Sequence, residues 1–198
     1  MRSAMGKWMW IAATLHLMTS WALAQVHYRE PCPNMPVIKN FDFDRYLGRW
    51  YEQERFFTAY QNIGYCWSGT YIKDKYSNKV SVRLDFEDIL LRIPAKIFVD
   101  IFRKNAYAAP NRLSYSISGV PREIFVDHYE VSGTDYTSWT IEYSCQNMPF
   151  GSLRYAWILT RSPHPPASVI KKAKAVMVAL GIDVYLLERH KNTCVPKY

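Results

Sequence analysis

Tyr46-Leu-Gly48-Arg-Trp50-Tyr-Glu52 leads out of an irregular arm containing Pro31, Pro33 and Pro36 and into the first of several short segments rich in Tyr, Trp, Val, Ile and Phe. These segments fall at 50–57, 66–73, 80–86, 97–103, 113–118, 125–131, 139–145 and 154–161. Turn residues such as Ser77-Asn78, Pro110-Asn111, Ser118-Gly119 and Ser132-Gly133 separate them. β-Branched and aromatic side chains fit a pleated, half-buried surface, so regularly spaced runs of this kind read as an antiparallel barrel or sandwich. Alternation is clearest in the seventh run, Trp139-Thr-Ile-Glu-Tyr-Ser-Cys145, where odd positions are apolar and even ones polar. In the eighth, Tyr155, Trp157 and Leu159 share one face. Both apolar faces are expected to point inward.

Beyond the eighth run, Pro165-Pro166 suits a helix entry and Gly181 a helix stop. Between them Val169, Ile170, Ala173, Val176, Met177 and Leu180 recur at three-to-four spacing, with Lys171, Lys172 and Lys174 on the other side. That is an amphipathic helix laid against the outside of the strands. Residues 182–187 are read as a short final strand.

At the other end, Arg2 and Lys7 precede a mostly apolar stretch and Ala22-Leu23-Ala24, a pattern that signal peptidase cleaves. Residues 1–24 are therefore read as a signal peptide and 25–198 as one secreted domain. Removing the leader lowers the formal net charge from +8 to +6. In an oxidising compartment Cys32, Cys66, Cys145 and Cys194 are expected to form two disulfides, with three connectivities open. No Cys-x-x-Cys pair favours zinc, no Asn-x-Ser/Thr sequon occurs, and neither Gly-x-Ser-x-Gly nor His-Glu-x-x-His is present. No metal or cofactor is expected, and His128, a lone histidine in a strand, is read as structural or solvent-facing. Secretion and scattered Lys/Arg argue against nucleic acid.

Gly48-Arg-Trp50 resembles the Gly-x-Trp signature of the lipocalins. Thr134-Asp-Tyr136 and Ala156-Trp-Ile-Leu-Thr-Arg161 resemble the second and third motifs of that family, in the same order. The resemblance implies an all-β fold: an eight-stranded up-and-down antiparallel barrel with one C-terminal α-helix packed outside. That topology brings the three motifs to a single end. Gly48, Trp50, Asp135 and Arg161 would then form a structural floor, with the guanidinium over the indole. Within the family, Cys32-Pro-Asn34, Asn40-Phe-Asp42 and Tyr143-Ser-Cys145 resemble the apolipoprotein D branch and its insect, bilin-binding relatives. That likeness implies Cys32–Cys145 and Cys66–Cys194 pairing.

The same topology puts the open end at residues 58–62, 87–88, 120–122 and 147–150. Below it, a barrel of this size has room for one small ligand. Trp139, Ile141, Tyr143, Tyr155 and Trp157 are expected to line the pocket, and a fatty acid, sterol, retinoid or bilin pigment is the implied ligand. Strand parity places Glu52 and Glu54 with Trp50. Both pointing inward would link ligand release to acid, whereas a bulge, or a salt bridge to Arg83 or Arg92, is the favoured reading. Phe56, Phe57, Tyr60, Met148 and Phe150 are placed at the mouth, where they could touch a membrane or lipoprotein surface. Trp67 has no assigned role. A carrier is thus the leading class. Its rivals are a lipid-isomerising enzyme, which would use an unpaired pocket thiol, and an interaction protein that binds through its loops.

Overall fold

Strands form where the sequence alternates, and they close on themselves. A computed structural model describes residues 26–103, 107–117 and 128–189. The signal peptide expected at 1–24, the loop expected at 120–122 and Cys194 lie outside the described residues. Eight antiparallel strands run in chain order: β2 (Gly48–Phe56), β3 (Gly64–Lys73), β4 (Val80–Asp88), β5 (Pro94–Phe102), β6 (Arg112–Ile117), β7 (His128–Thr134), β8 (Trp139–Met148) and β9 (Gly151–Thr160). Each pairs with its sequence neighbour, and β9 returns to pair with β2, closing the barrel.

Short strands extend the sheet. β1 (His27–Tyr28) pairs with the first part of β9, and β10 (Leu187–Arg189) follows a 3-10 turn at Val184–Leu186 and pairs with the end of β2. The final strand therefore begins later than the sequence reading placed it. Pairing between β2 and β9 shifts register between Glu52 and Glu54, so the bulge is real. A bulge inserts one extra residue and reverses which face the following side chains occupy. Glu52 consequently stays inside, and Glu54 turns out to form an ion pair with Lys174 at 2.6 Å.

Among the described residues two α-helices complete the fold. In α1 (Phe43–Tyr46), Asp42 caps the first turn by accepting from the Arg45 N–H at 3.1 Å. Its Phe43 and Tyr46, with Phe41, pack upward into the closed end of the barrel. The second helix, α2 (Ala167–Ala179), is followed by Gly181 at φ +73. It lies outside the barrel, where Ala173 and Met177 are fully buried against Trp139, Ile141 and Ile158. Gly133 allows the close approach: a Cβ there would stand 3.2 Å from Val176 and 3.3 Å from Trp139. The described residues thus form two apolar clusters, one inside the barrel and one between barrel and helix. A disulfide joins Cys32 of the arm to Cys145 of β8, and Cys66 is also disulfide-bonded.

Candidate functional site

The closed end is built around one arginine. Gly48 opens β2 at φ +93, where a side chain would be strained, and a Cβ would stand 3.3 Å from Arg161 Nη1. Arg161, just past β9, lies flat beneath Trp50, 3.6 Å from the ring centroid. Its Nε donates to the Tyr136 carbonyl at 3.0 Å and Nη1 to that of Arg49 at 2.9 Å. Nη2 donates to the carbonyls of Arg45 and Tyr46 at 3.1 and 3.2 Å. Trp50 is fully buried and donates to the Tyr46 carbonyl at 2.9 Å. Asp135 accepts from the N–H groups of Thr137, Ser138 and Trp139 and from the Ser138 hydroxyl. Burial alone would raise its pKa, but these bonds hold it below the usual carboxylate range. Gly48, Trp50, Asp135 and Arg161 thus meet at one end, and none of them lines the interior space.

Above the floor the barrel encloses a cavity of about 340 Å³. Val82, Leu84, Ile97, Val99, Ile117 and Leu159 give it an apolar wall. Tyr155 and Trp157 also face it, with rings stacked at 6.1 Å. Trp67 lines it near the mouth, stacked on Phe86 at 4.2 Å.

Trp139, Ile141 and Tyr143 do not line the cavity; they belong to the cluster beneath α2. Register explains the correction. Residues paired across antiparallel strands share a face, and β8 pairs Glu142 with Trp157 and Ser144 with Tyr155, but Ile141 with Ile158 and Tyr143 with Ala156. The polar positions of β8 are therefore its inward ones. Alternation marks the two faces of a strand, but it does not say which is interior when a helix covers the outside. Of the five pocket residues read from the sequence, only Tyr155 and Trp157 face the cavity.

Two carboxylates, Glu52 buried and Glu142 half-buried, give the cavity its polar character. Near the mouth, Glu52 pairs with the nearly fully buried Arg55 at 2.6 Å and accepts from the Gln61 amide at 2.9 Å. Gln61 Oε1 in turn accepts from Trp157 Nε1 at 2.8 Å. This pair replaces the expected link to Arg83 or Arg92. Arg83 instead bonds Asp85 at 3.0 Å. Deeper in, Glu142 Oε1 accepts the hydroxyls of Tyr46 and Tyr71, each at 2.7 Å. With the Tyr71 proton committed to Glu142, Tyr129 must donate in the 2.6 Å contact between the two tyrosine hydroxyls. Burial raises the pKa of Glu52 and Glu142 despite these favourable contacts, and it raises those of Tyr46, Tyr71 and Tyr129 well above the ordinary phenol value.

Sequence comparison points the same way. No family model matches the chain. Apolipoprotein D of Rattus norvegicus is 27% identical over 177 residues, covering 88% of this chain and 89% of that protein. The bilin-binding protein of Pieris brassicae is 26% identical over 145 residues, covering 71% and 72%. Among solved structures, insecticyanin from the tobacco hornworm Manduca sexta superposes with a TM-score of 0.72 at 20% identity, over 84% of this chain and 89% of its own. The chain resembles the lipocalins in sequence over most of its length and has the lipocalin fold.

The sequence reading missed Glu142, the tyrosines around it and Trp67. A lone charged residue among the polar, even positions of that strand was the available signal for Glu142. Trp67 could be placed only once Gly64 was known to let Phe86 close over it, since a Cβ at Gly64 would stand 2.3 Å from the Phe86 ring. At the mouth, Phe56 is buried in the outer cluster and not exposed there, because the bulge has turned it outward. Tyr60, Met148 and Phe150 are exposed, and Ile89, Leu90, Leu91 and Ile93 of the β4–β5 turn join them. His128 is exposed and does not line the cavity. Among the described residues no cluster of three His, Cys, Asp or Glu side chains forms.

Proposed function

We propose that this lipocalin is a secreted, non-catalytic carrier that holds one small hydrophobic molecule inside its barrel. Residues 1–24 would act as its leader and 25–198 as the carrier domain. The observation that carries the reading is the 340 Å³ cavity with its largely apolar wall. Burying about 300 Å² of apolar ligand surface would yield about 7 kcal/mol gross, from which association costs subtract. The isomerase reading needs an unpaired pocket thiol, and Cys32, Cys66 and Cys145 are all in disulfides. Similarity to apolipoprotein D and to the bilin-binding protein supports carriage and keeps a bilin among the candidates with fatty acids, sterols and retinoids.

Trp67 and Trp157 line the cavity, so a bound ligand should quench intrinsic fluorescence. Titration with a fatty acid, a retinoid, a sterol and biliverdin is expected to give saturable quenching by at least one. Failure of all four, together with failure of any neutral apolar probe to bind, would refute carriage.

The rim carries a second reading. Leu90 is 87% exposed, Leu91 68% and Phe150 88%, so the mouth presents apolar side chains that can enter a membrane or lipoprotein surface. Flotation with phosphatidylcholine vesicles containing anionic lipid should carry the protein upward, and Leu90→Asp should reduce that recovery severalfold. Absence of flotation would exclude surface contact.

A further inference from the structure

The carrier reading leaves ligand chemistry open, and the inner end of the cavity narrows it. Buried charges are ordinarily paired or bound to a metal ion. Glu52 obeys that rule, since Arg55 sits 2.6 Å away and Gln61 takes its other oxygen. Glu142 does not. Its Oε1 accepts from Tyr46 and Tyr71, while its Oε2 accepts from no described residue, and no Lys, Arg or His among them forms an ion pair with it. Among the described residues Glu52 and Glu142 are the charged side chains lining the cavity, and Arg55 offsets the first. The described lining therefore carries one uncompensated negative charge when both carboxylates are ionised.

The hydrogen-bond inventory points in the same direction. The hydroxyl protons of Tyr46 and Tyr71 go to Glu142, and that of Tyr129 goes to Tyr71. The phenol donors of Tyr46, Tyr71 and Tyr129 are thus consumed, and what this network leaves toward the cavity is acceptor: a carboxylate oxygen and hydroxyl lone pairs. Tyr46 packs at a tilt against the floor tryptophan with ring centroids 5.2 Å apart, so this acceptor patch lies one layer above the closed end. A ligand entering from the mouth would meet it with its leading end. The rings of Tyr71 and Tyr129, both lining the cavity, present π faces that attract a cation once water is excluded.

We propose that this cavity selects amphiphiles whose leading end is a protonated amine, and that Glu142 is the residue that recognises it. The ammonium would donate to Glu142 Oε2 and to the tyrosine oxygens, with the hydrocarbon against Val82, Leu84, Ile97 and Val99. An alcohol of equal length offers one donor and no charge. A carboxylate of equal length would be repelled from this end and could enter only with its tail leading, which leaves its head at the mouth.

The inference rests on the carrier reading, and the experiment separates the two. Decylamine, decanol, decanoate and N-decylacetamide are titrated against the wild type by displacement of the neutral dye Nile red, with Glu142→Gln as the variant. The amine is expected to bind at least tenfold more tightly than the alcohol and the amide. Glu142→Gln should bring all three within about threefold. Equal affinities of amine and alcohol in the wild type, or a preference that survives in Glu142→Gln, would overturn the proposal and leave carriage intact. Failure of every decyl compound, and of the dye itself, would overturn both. Should Glu142→Gln not fold, the wild-type series still decides: N-decylacetamide keeps an N–H and loses the charge, so amide binding as tight as the amine would refute recognition of charge.

Discussion

Replacing Arg161 with alanine tests whether the closed end is a structural floor. The change removes a guanidinium 3.6 Å from the Trp50 ring centroid and four hydrogen bonds to the carbonyls of Arg45, Tyr46, Arg49 and Tyr136. A partly desolvated cation–π contact contributes about 1 kcal/mol. Hydrogen bonds to a charged donor contribute about 1.5–3 kcal/mol when buried, but this end borders solvent, and water can reach the freed carbonyls. Counting each bond at about 0.5–1 kcal/mol, the expected loss is about 3–5 kcal/mol. In urea, with a slope of about 1–3 kcal/mol per molar, the midpoint should fall by more than about 1 M. Arg161→Lys should recover less than half of the loss, because one tetrahedral ammonium cannot serve carbonyls spread around a plane. Affinity for a cavity ligand, measured where the variant is fully folded, should change less than threefold. A loss below about 1 kcal/mol, or a lysine variant equal to wild type, would refute the floor reasoning.

Further outcomes follow from the two clusters and the buried acids. Met177→Ala and Ile141→Ala should each cost about 2–5 kcal/mol and leave ligand affinity unchanged, since both side chains lie between α2 and the barrel and not in the cavity; a binding defect in a folded Ile141→Ala would restore the sequence reading. Gly48→Ala forces a side chain onto φ +93 beside Arg161 and should cost about 1–3 kcal/mol by urea titration. Glu142 titrates above its unfolded value of about 4.5 because it is buried. The folded state therefore holds the proton more tightly, and wild-type stability falls as pH rises from about 4.5 through the folded pKa. Glu142→Gln lacks that decline, so its stability relative to wild type should rise between pH 4 and neutrality. A pH-independent difference would show that Glu142 is not a destabilised carboxylate.

Much of the fold was legible because period-two alternation, turn residues and the capped amphipathic helix each have a local physical cause. The three floor motifs were legible because chain order in an up-and-down barrel brings Trp50, Asp135 and Arg161 to one end. What could not be read was orientation. On β8 the apolar residues Trp139, Ile141 and Tyr143 satisfy α2, and the inward face carries Thr140, Glu142 and Ser144. A covered outer face and a partly polar interior invert the usual inference, and only the register with β9 reveals it. The bulge after Glu52 had the same effect, sending Glu54 to Lys174 and Arg55 inward, and parity counting along one strand has no means of locating it. Trp67 needed a long-range neighbour, Phe86, before its place at the cavity could be assigned.

The central claim is that a ligand occupies the inside of the barrel. The most direct measurement is the stoichiometry and affinity of Nile red for the wild type and for Leu84→Trp, which places a larger ring in the cavity wall. Wild type is expected to bind one dye per chain with saturable, micromolar or tighter affinity, and Leu84→Trp, folded by circular dichroism, should bind at least tenfold more weakly. Undiminished binding in the filled variant, or no saturable binding in the wild type, would contradict the claim.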